Sequence, residues 1–275
     1  MTQPIVVAVS EGDEARDAVA LGVTASRLMN APLVLAGVAV TAAKPMRDYL
    51  GRELERRAAT VPEDVPCGAR VAVASGVLPG LETVVEEEDA QLLVVGGSHL
   101  GPLARALRGD IGTDAVRRAG CAVLVAPSGA DGADGAALAD PPRLIGVAWD
   151  GDQESDAALE LGAALAARAG ARLIVLRAVG HAHLADVRAA LDDVVDHHRV
   201  RVPTEGRLLT GPPEANLVAA TADLDLMLLG AHERSAMATA LLGSVSATVL
   251  RHARCPVLVM PHGARVAVTP AAVAR

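Results

Sequence analysis

The chain has 275 residues, 51% hydrophobic and 21% charged, which is enough apolar material for a sizeable core and about two domains by length. Only 1% of the residues are aromatic and the formal net charge is −8, so neither base-stacking platforms nor a basic stripe is on offer and nucleic acid is not an expected partner. Lys44 is the only lysine and no Gly-rich run ends in Lys-Ser or Lys-Thr, which excludes a Walker-type phosphate loop.

The opening MTQPIVVAVSEGDEA has no basic region before its apolar run, and no later run reaches membrane-spanning length. A soluble, cytoplasmic chain without a membrane partner is expected. The cysteines Cys67, Cys121 and Cys255 are odd in number and far apart, which suits a reducing compartment. Further along, residues 91–127 (QLLVVGGSHLGPLARALRGDIGTDAVRRAGCAVLVAP) align without a gap with residues 225–261 (DLMLLGAHERSAMATALLGSVSATVLRHARCPVLVMP) at a constant offset of 134. Gly96 matches Gly230, Gly109 matches Gly243, Cys121 matches Cys255 and Pro127 matches Pro261. The segment starting at Pro4 likewise resembles the one starting at Arg143. The chain is therefore an internal repeat. Residues 129–141, rich in Gly, Ala and Asp, read as a linker between domains at 1–128 and 142–262. A poorly ordered tail is expected over 263–275.

In the second half, strands are expected at 144–149, 173–178, 201–209, 226–230 and 257–260, with helices at 154–169, 182–198, 214–222 and 246–252. Unbroken apolar runs such as LLVV and LMLL point to strands covered on both faces. Their alternation with helices makes each half a doubly wound parallel α/β sheet, whose ligands bind beyond the carboxyl ends of the strands.

The informative spacing lies within the repeat. Gly230 and Gly243 are 13 residues apart, and Ser244 follows where GSVSATVL opens a helix. A helix N-terminus presents unpaired N–H groups and a partial positive charge, which suit a phosphate. Gly243 would admit close backbone approach, and Ser244 and Ser246 could add hydroxyls. The plainer reading is that Gly243 shapes a turn and Ser244 caps the helix. Among the histidines, His181, His183, His197 and His198 suggest a metal only weakly, because no Cys or carboxylate pattern in the sequence completes a site; no metal ligand is assigned. Cys121 and Cys255 read as small buried residues.

These residues together resemble a tandem universal stress protein. That family's nucleotide motif is Gly, two residues, Gly, nine residues, Gly, then Ser or Thr. The second half has Gly230, then Glu233 in place of the middle glycine, then Gly243 and Ser244. ARCPVLVMP is similar to the family's last strand, and WDGDQESDAAL to the end of its first. The resemblance implies two five-stranded parallel domains packed as a pseudo-dimer through strands at 122–126 and 257–260. It also implies an adenine-nucleotide site. Asp150 and the main chain at Ala178 would contact the base, Gly211 would form the turn after the third strand, and Gly230 would lie by the ribose and phosphate. Gly243, Ser244, Val245 and Ser246 would surround the phosphates.

An inward Glu233 carboxylate about 4 Å from a phosphate charge would cost about 4 kcal/mol at an effective dielectric near 20, unless Mg²⁺ bridges them. In the first half His99 replaces the middle glycine, Asp110 the serine and Ser10 the aspartate, so that half is expected not to bind nucleotide. The expected function is a stress-response or regulatory protein binding ATP or another adenine nucleotide in its second domain. A homodimer is expected, with no general base and at most slow ATP hydrolysis. The alternative is a nucleotide-free interaction scaffold with both sites lost.

Overall fold

The computed structural model describes residues 2–9, 14–96, 121–127, 140–179, 184–231 and 243–268. In the first half these form β1 (Ile5–Ala8), α1 (Glu14–Met29), β2 (Leu33–Ala39), α2 (Lys44–Ala58), β3 (Cys67–Val73), α3 (Val77–Glu87), β4 (Leu92–Val95) and β5 (Ala122–Val125). The second half contributes β6 (Leu144–Ala148), α4 (Gln153–Ala169), β7 (Arg172–Val179), α5 (Leu184–Arg199), β8 (Thr204–Thr210), α6 (Pro213–Ala220), β9 (Leu226–Gly230), α7 (Ser244–His252) and β10 (Val257–Met260). Among the described residues no helix is long and apolar enough to cross a membrane.

The strands line up as β3-β2-β1-β4-β5-β10-β9-β6-β7-β8. All pairings within each half are parallel. β5 and β10 pair antiparallel, with Leu124 opposite Leu258, so each last strand covers the other's open edge. The alternating side chains of these strands supply two faces. Leu226, Leu228, Leu258 and Met260 enter a core that also holds Ile5, Val7 and Leu35 of the first half. Met227, Leu229, Val257 and Val259 enter a second-half core beneath α6 and α7. This double burial explains why these strands are uninterrupted apolar runs.

β9 and β10 have the residues expected of them. The expected strand at 201–209 starts later, at Thr204, because the chain is still turning out of α5: the Arg201 and Val202 N–H groups both donate to the His198 carbonyl. α7 starts two residues earlier than expected, with Gly243 as its N-cap. α4 is bounded as its sequence dictates. The Asp152 carboxylate caps it by accepting from Ser155 N–H, and Gly170 ends it at φ 66°, a left-handed conformation that glycine adopts without a Cβ penalty.

The expectation of a poorly ordered tail is corrected for residues 263–268. Ala264, Val266 and Val268 pack against the shared core, and Ala267 N–H donates to Gln91 Oε1 at 2.7 Å. The every-second-residue apolar pattern gives this short segment one face to bury. Residues 269–275 lie outside the described residues.

Candidate functional site

In the second half the order β10-β9-β6-β7-β8 puts β6 between β7 and β9, so the winding direction changes between β6 and β9. A crevice at the carboxyl ends of such strands is where doubly wound sheets bind ligands. Asp150 follows β6, Ala178 lies near the end of β7, Gly211 follows β8, and Gly230 ends β9.

The Asp150 loop is held by Ser155. The Ser155 hydroxyl accepts from the N–H groups of Asp150 (3.3 Å) and Gly151 (3.2 Å) and lies 3.1 Å from Asp150 Oδ1. Asp152 N–H donates to the same carboxylate oxygen at 3.2 Å. One oxygen of Asp150 is thereby oriented by its own loop, while the residue stays exposed. Trp149 anchors the loop from below: its indole N–H donates to Asp156 Oδ1 at 2.7 Å, and the Arg177 guanidinium lies 5.4 Å from the ring centre.

Gly230 is fully enclosed. A Cβ there would lie 2.7 Å from the Glu154 carbonyl carbon and 2.7 Å from the Ser155 nitrogen. Its lack of a side chain lets β9 touch the first turn of α4. On its other side the Gly230 carbonyl faces the buried Ser246 hydroxyl at 3.5 Å. Asp150, Ser155, Gly230 and Ser246 therefore form one connected line from α4 to α7. The Ser246 side chain is turned to the main chain of β9, which makes it a brace between α7 and β9. Its N–H, with those of Ser244 and Val245, belongs to the first helical turn, where no intrahelical acceptor exists.

Gly211 takes φ +113°, which favours glycine, and its N–H donates to the Val179 carbonyl at 3.3 Å. The turn leads into α6, whose first turn carries Glu214. Ser244 Oγ donates to Glu214 Oε1 at 3.1 Å. A carboxylate thus stands at the mouth of α7, where the sequence placed phosphates. Neither Glu214 nor Ser155 was singled out in the sequence. D-x-x-S before an apolar run was a readable cap signal, whereas nothing in GPPEA points to a residue 30 positions away.

Glu233, His181 and His183 lie outside the described residues, as do Ser10, His99, Gly109 and Asp110 of the first half. Gly96 follows β4, as its counterpart's place in the repeat requires. Cys121 and Cys255 are buried, and burial pushes each thiol up to about 12. Cys67 is half-buried and also raised by burial. Thiolate is the reactive form. Alkylation of the native protein at pH 8 is therefore expected to reach Cys67 alone, and all three after denaturation. Mass spectrometry reads this directly, and native modification of Cys121 or Cys255 would contradict their burial.

The strand order and the placement of α7's first turn beside Gly230 define a tandem, doubly wound α/β protein. The universal stress protein family model matches residues 1–127 and 181–261, and the chain belongs to that family. It is 29% identical to the universal stress protein Rv2005c of Mycobacterium tuberculosis, over 93% of this chain and 96% of that one. The fold is shared with a universal stress protein from Archaeoglobus fulgidus (TM-score 0.73, 13% identity, 96% of this chain and 100% of that one). It is shared also with the cytoplasmic domain of a prokaryotic cation chloride cotransporter (TM-score 0.61, 14% identity, 98% of this chain and 99% of that one). Such breadth means that function has to be argued from the site.

Proposed function

We propose that this universal stress protein is a non-catalytic regulatory protein whose second half binds one adenine nucleotide. The observation that carries the reading is the convergence of α7's first turn with the Asp150 loop across Gly230. In this reading Asp150 and the main chain at Ala178 take the base, Gly211 shapes the wall after β8, and Gly230 borders the ribose. Gly243, Ser244 and Val245 meet the phosphates, with Ser246 contributing its N–H. The first half, with Asp110 and His99 at the matching positions, is assigned no nucleotide. The last strands are paired with each other, so a homodimer of whole chains would use another surface.

Glu214 sets the terms for phosphate. Two unit charges about 4 Å apart repel by about 4 kcal/mol at an effective dielectric of 20, and the partial exposure of Glu214 reduces this. Mg²⁺ between the carboxylate and a polyphosphate would reverse the sign. Glu214→Gln is expected to tighten ATP binding about tenfold without Mg²⁺, about 1.4 kcal/mol. The gain should shrink when Mg²⁺ is present. Equal affinities of wild type and variant in chelator would place the phosphates away from Glu214.

The test of the whole reading is calorimetric titration of nucleotide-stripped protein with Mg-ATP and with AMP. Saturable binding of one nucleotide per chain is the expected result. No heat with either, confirmed by equilibrium dialysis, would overturn it in favour of a nucleotide-free interaction scaffold, the reading that the carboxylate at Ser244 favours.

A further inference from the structure

On the opposite face of the second half from α6 and α7, a groove of about 320 Å³ runs between α4 and α5. Asp156 and Glu160 of α4 face Asp193, His197 and His198 of α5 across it. Glu160, His197 and His198 each offer one ligand atom, and all of these atoms lie within 4.8 Å of one another. His198 Nε2 stands 3.8 Å from Glu160 Oε1. The two imidazoles are 5.1 Å apart at their centres and nearly perpendicular, at 84°. Adjacent positions on a helix diverge by about 100°, so two neighbouring histidines share a ligand only when it sits over the edge between them. The groove provides that position, and the third group comes from the other helix.

His198 is 4% exposed and presents Nε2 to Glu160, so Nε2 is the nitrogen that a shared ion would take. A histidine is a poor choice for a purely apolar seam.

We propose that Glu160, His197 and His198 bind one divalent transition-metal ion of the zinc class, with solvent completing the shell. Two imidazoles and a carboxylate are a donor set for zinc, nickel or copper, and they disfavour Mg²⁺, which demands oxygen ligands. Zinc–ligand bonds of about 2.0–2.2 Å require the donor atoms to close in from their present spacing. Glu160 and His197 are exposed and able to rotate. Asp156 and Asp193 add negative charge beside the ion. Arg201, 3.9 Å from Glu160 Oε2, is the competing cation and is itself exposed. The sequence alone found no carboxylate partner for this histidine pair, because Glu160 is 37 residues away from it.

The experiment uses the full, untagged chain after dialysis against a chelator, titrated with ZnCl₂ by calorimetry and followed by thermal melting. One saturable site and a raised melting midpoint are expected, because an ion held by both helices stabilises only the folded state. MgCl₂ should do neither. His197→Ala and Glu160→Gln change exposed side chains and should preserve the fold, and each should weaken zinc binding at least about tenfold. Absence of a saturable zinc site, or unchanged zinc affinity in both variants, would overturn the assignment.

Discussion

Gly230→Ala is expected to lower stability by about 3 kcal/mol, at the upper end for overpacking a well-filled interior. The two halves share a core and unfold as one larger unit, for which that is a fall in the thermal midpoint of roughly 6–12 °C. The added Cβ would meet the Glu154 and Ser155 backbone at 2.7 Å, and backbone cannot rotate away as a side chain can. Neither side is free to retreat. β9 is hydrogen-bonded on both edges, to β10 and to β6, and the first turn of α4 is fixed by the Asp152 cap. The strain should appear first as displacement of the Asp150 loop, which hangs on Ser155. Thermal and denaturant unfolding check this, and an unchanged midpoint would show that β9 and α4 are not packed as described. The structure thus gives Gly230 a packing reason that exists without any ligand.

Gly243→Val is expected to do the opposite: cost at most about 1 kcal/mol of stability, the loss of a glycine N-cap, and reduce nucleotide affinity more than about 100-fold. Gly243 has φ −57° and ψ 154°, a conformation open to any residue. Among the described residues no heavy atom lies within 4 Å of where its Cβ would be. A valine would cost the fold little, yet it would stand over the N–H groups of α7's first turn and keep a phosphate from them. Calorimetric titration alongside a melting curve separates the two effects. Wild-type affinity in a folded variant would remove the α7 terminus from the site. Paired with Gly230→Ala, it separates a glycine needed by packing from one needed by a ligand.

The two glycines also show how far the sequence could be read. Both stand out through the repeat and the 13-residue spacing; one ends β9 and the other caps α7. Their roles differ because of what lies opposite each, and that depends on α4, which is far from β9 along the chain. Ser246 makes the same point. Its place in the first turn of a helix was legible, but the direction of its hydroxyl, toward the Gly230 carbonyl, was set by the packing of α7 on β9. The apolar alternation of residues 264–268 spans only a few positions, too short a signal without the core surface on which Ala264, Val266 and Val268 settle.

What the sequence determined by itself is what local periodicity and self-similarity encode. The two matching halves, the parallel α/β class, the apolar runs of β9 and β10, and the buried cysteines all follow from residue order, because strand and helix periods are short-range properties. What only the tertiary structure decided is which distant side chains meet. Glu214 accepts from Ser244, Glu160 joins His197 and His198, and β5 pairs with β10 across the halves. Such contacts depend on how helices and strands are laid against one another. A shift of one residue in register or a fraction of a turn in a helix would undo them while leaving every local pattern intact.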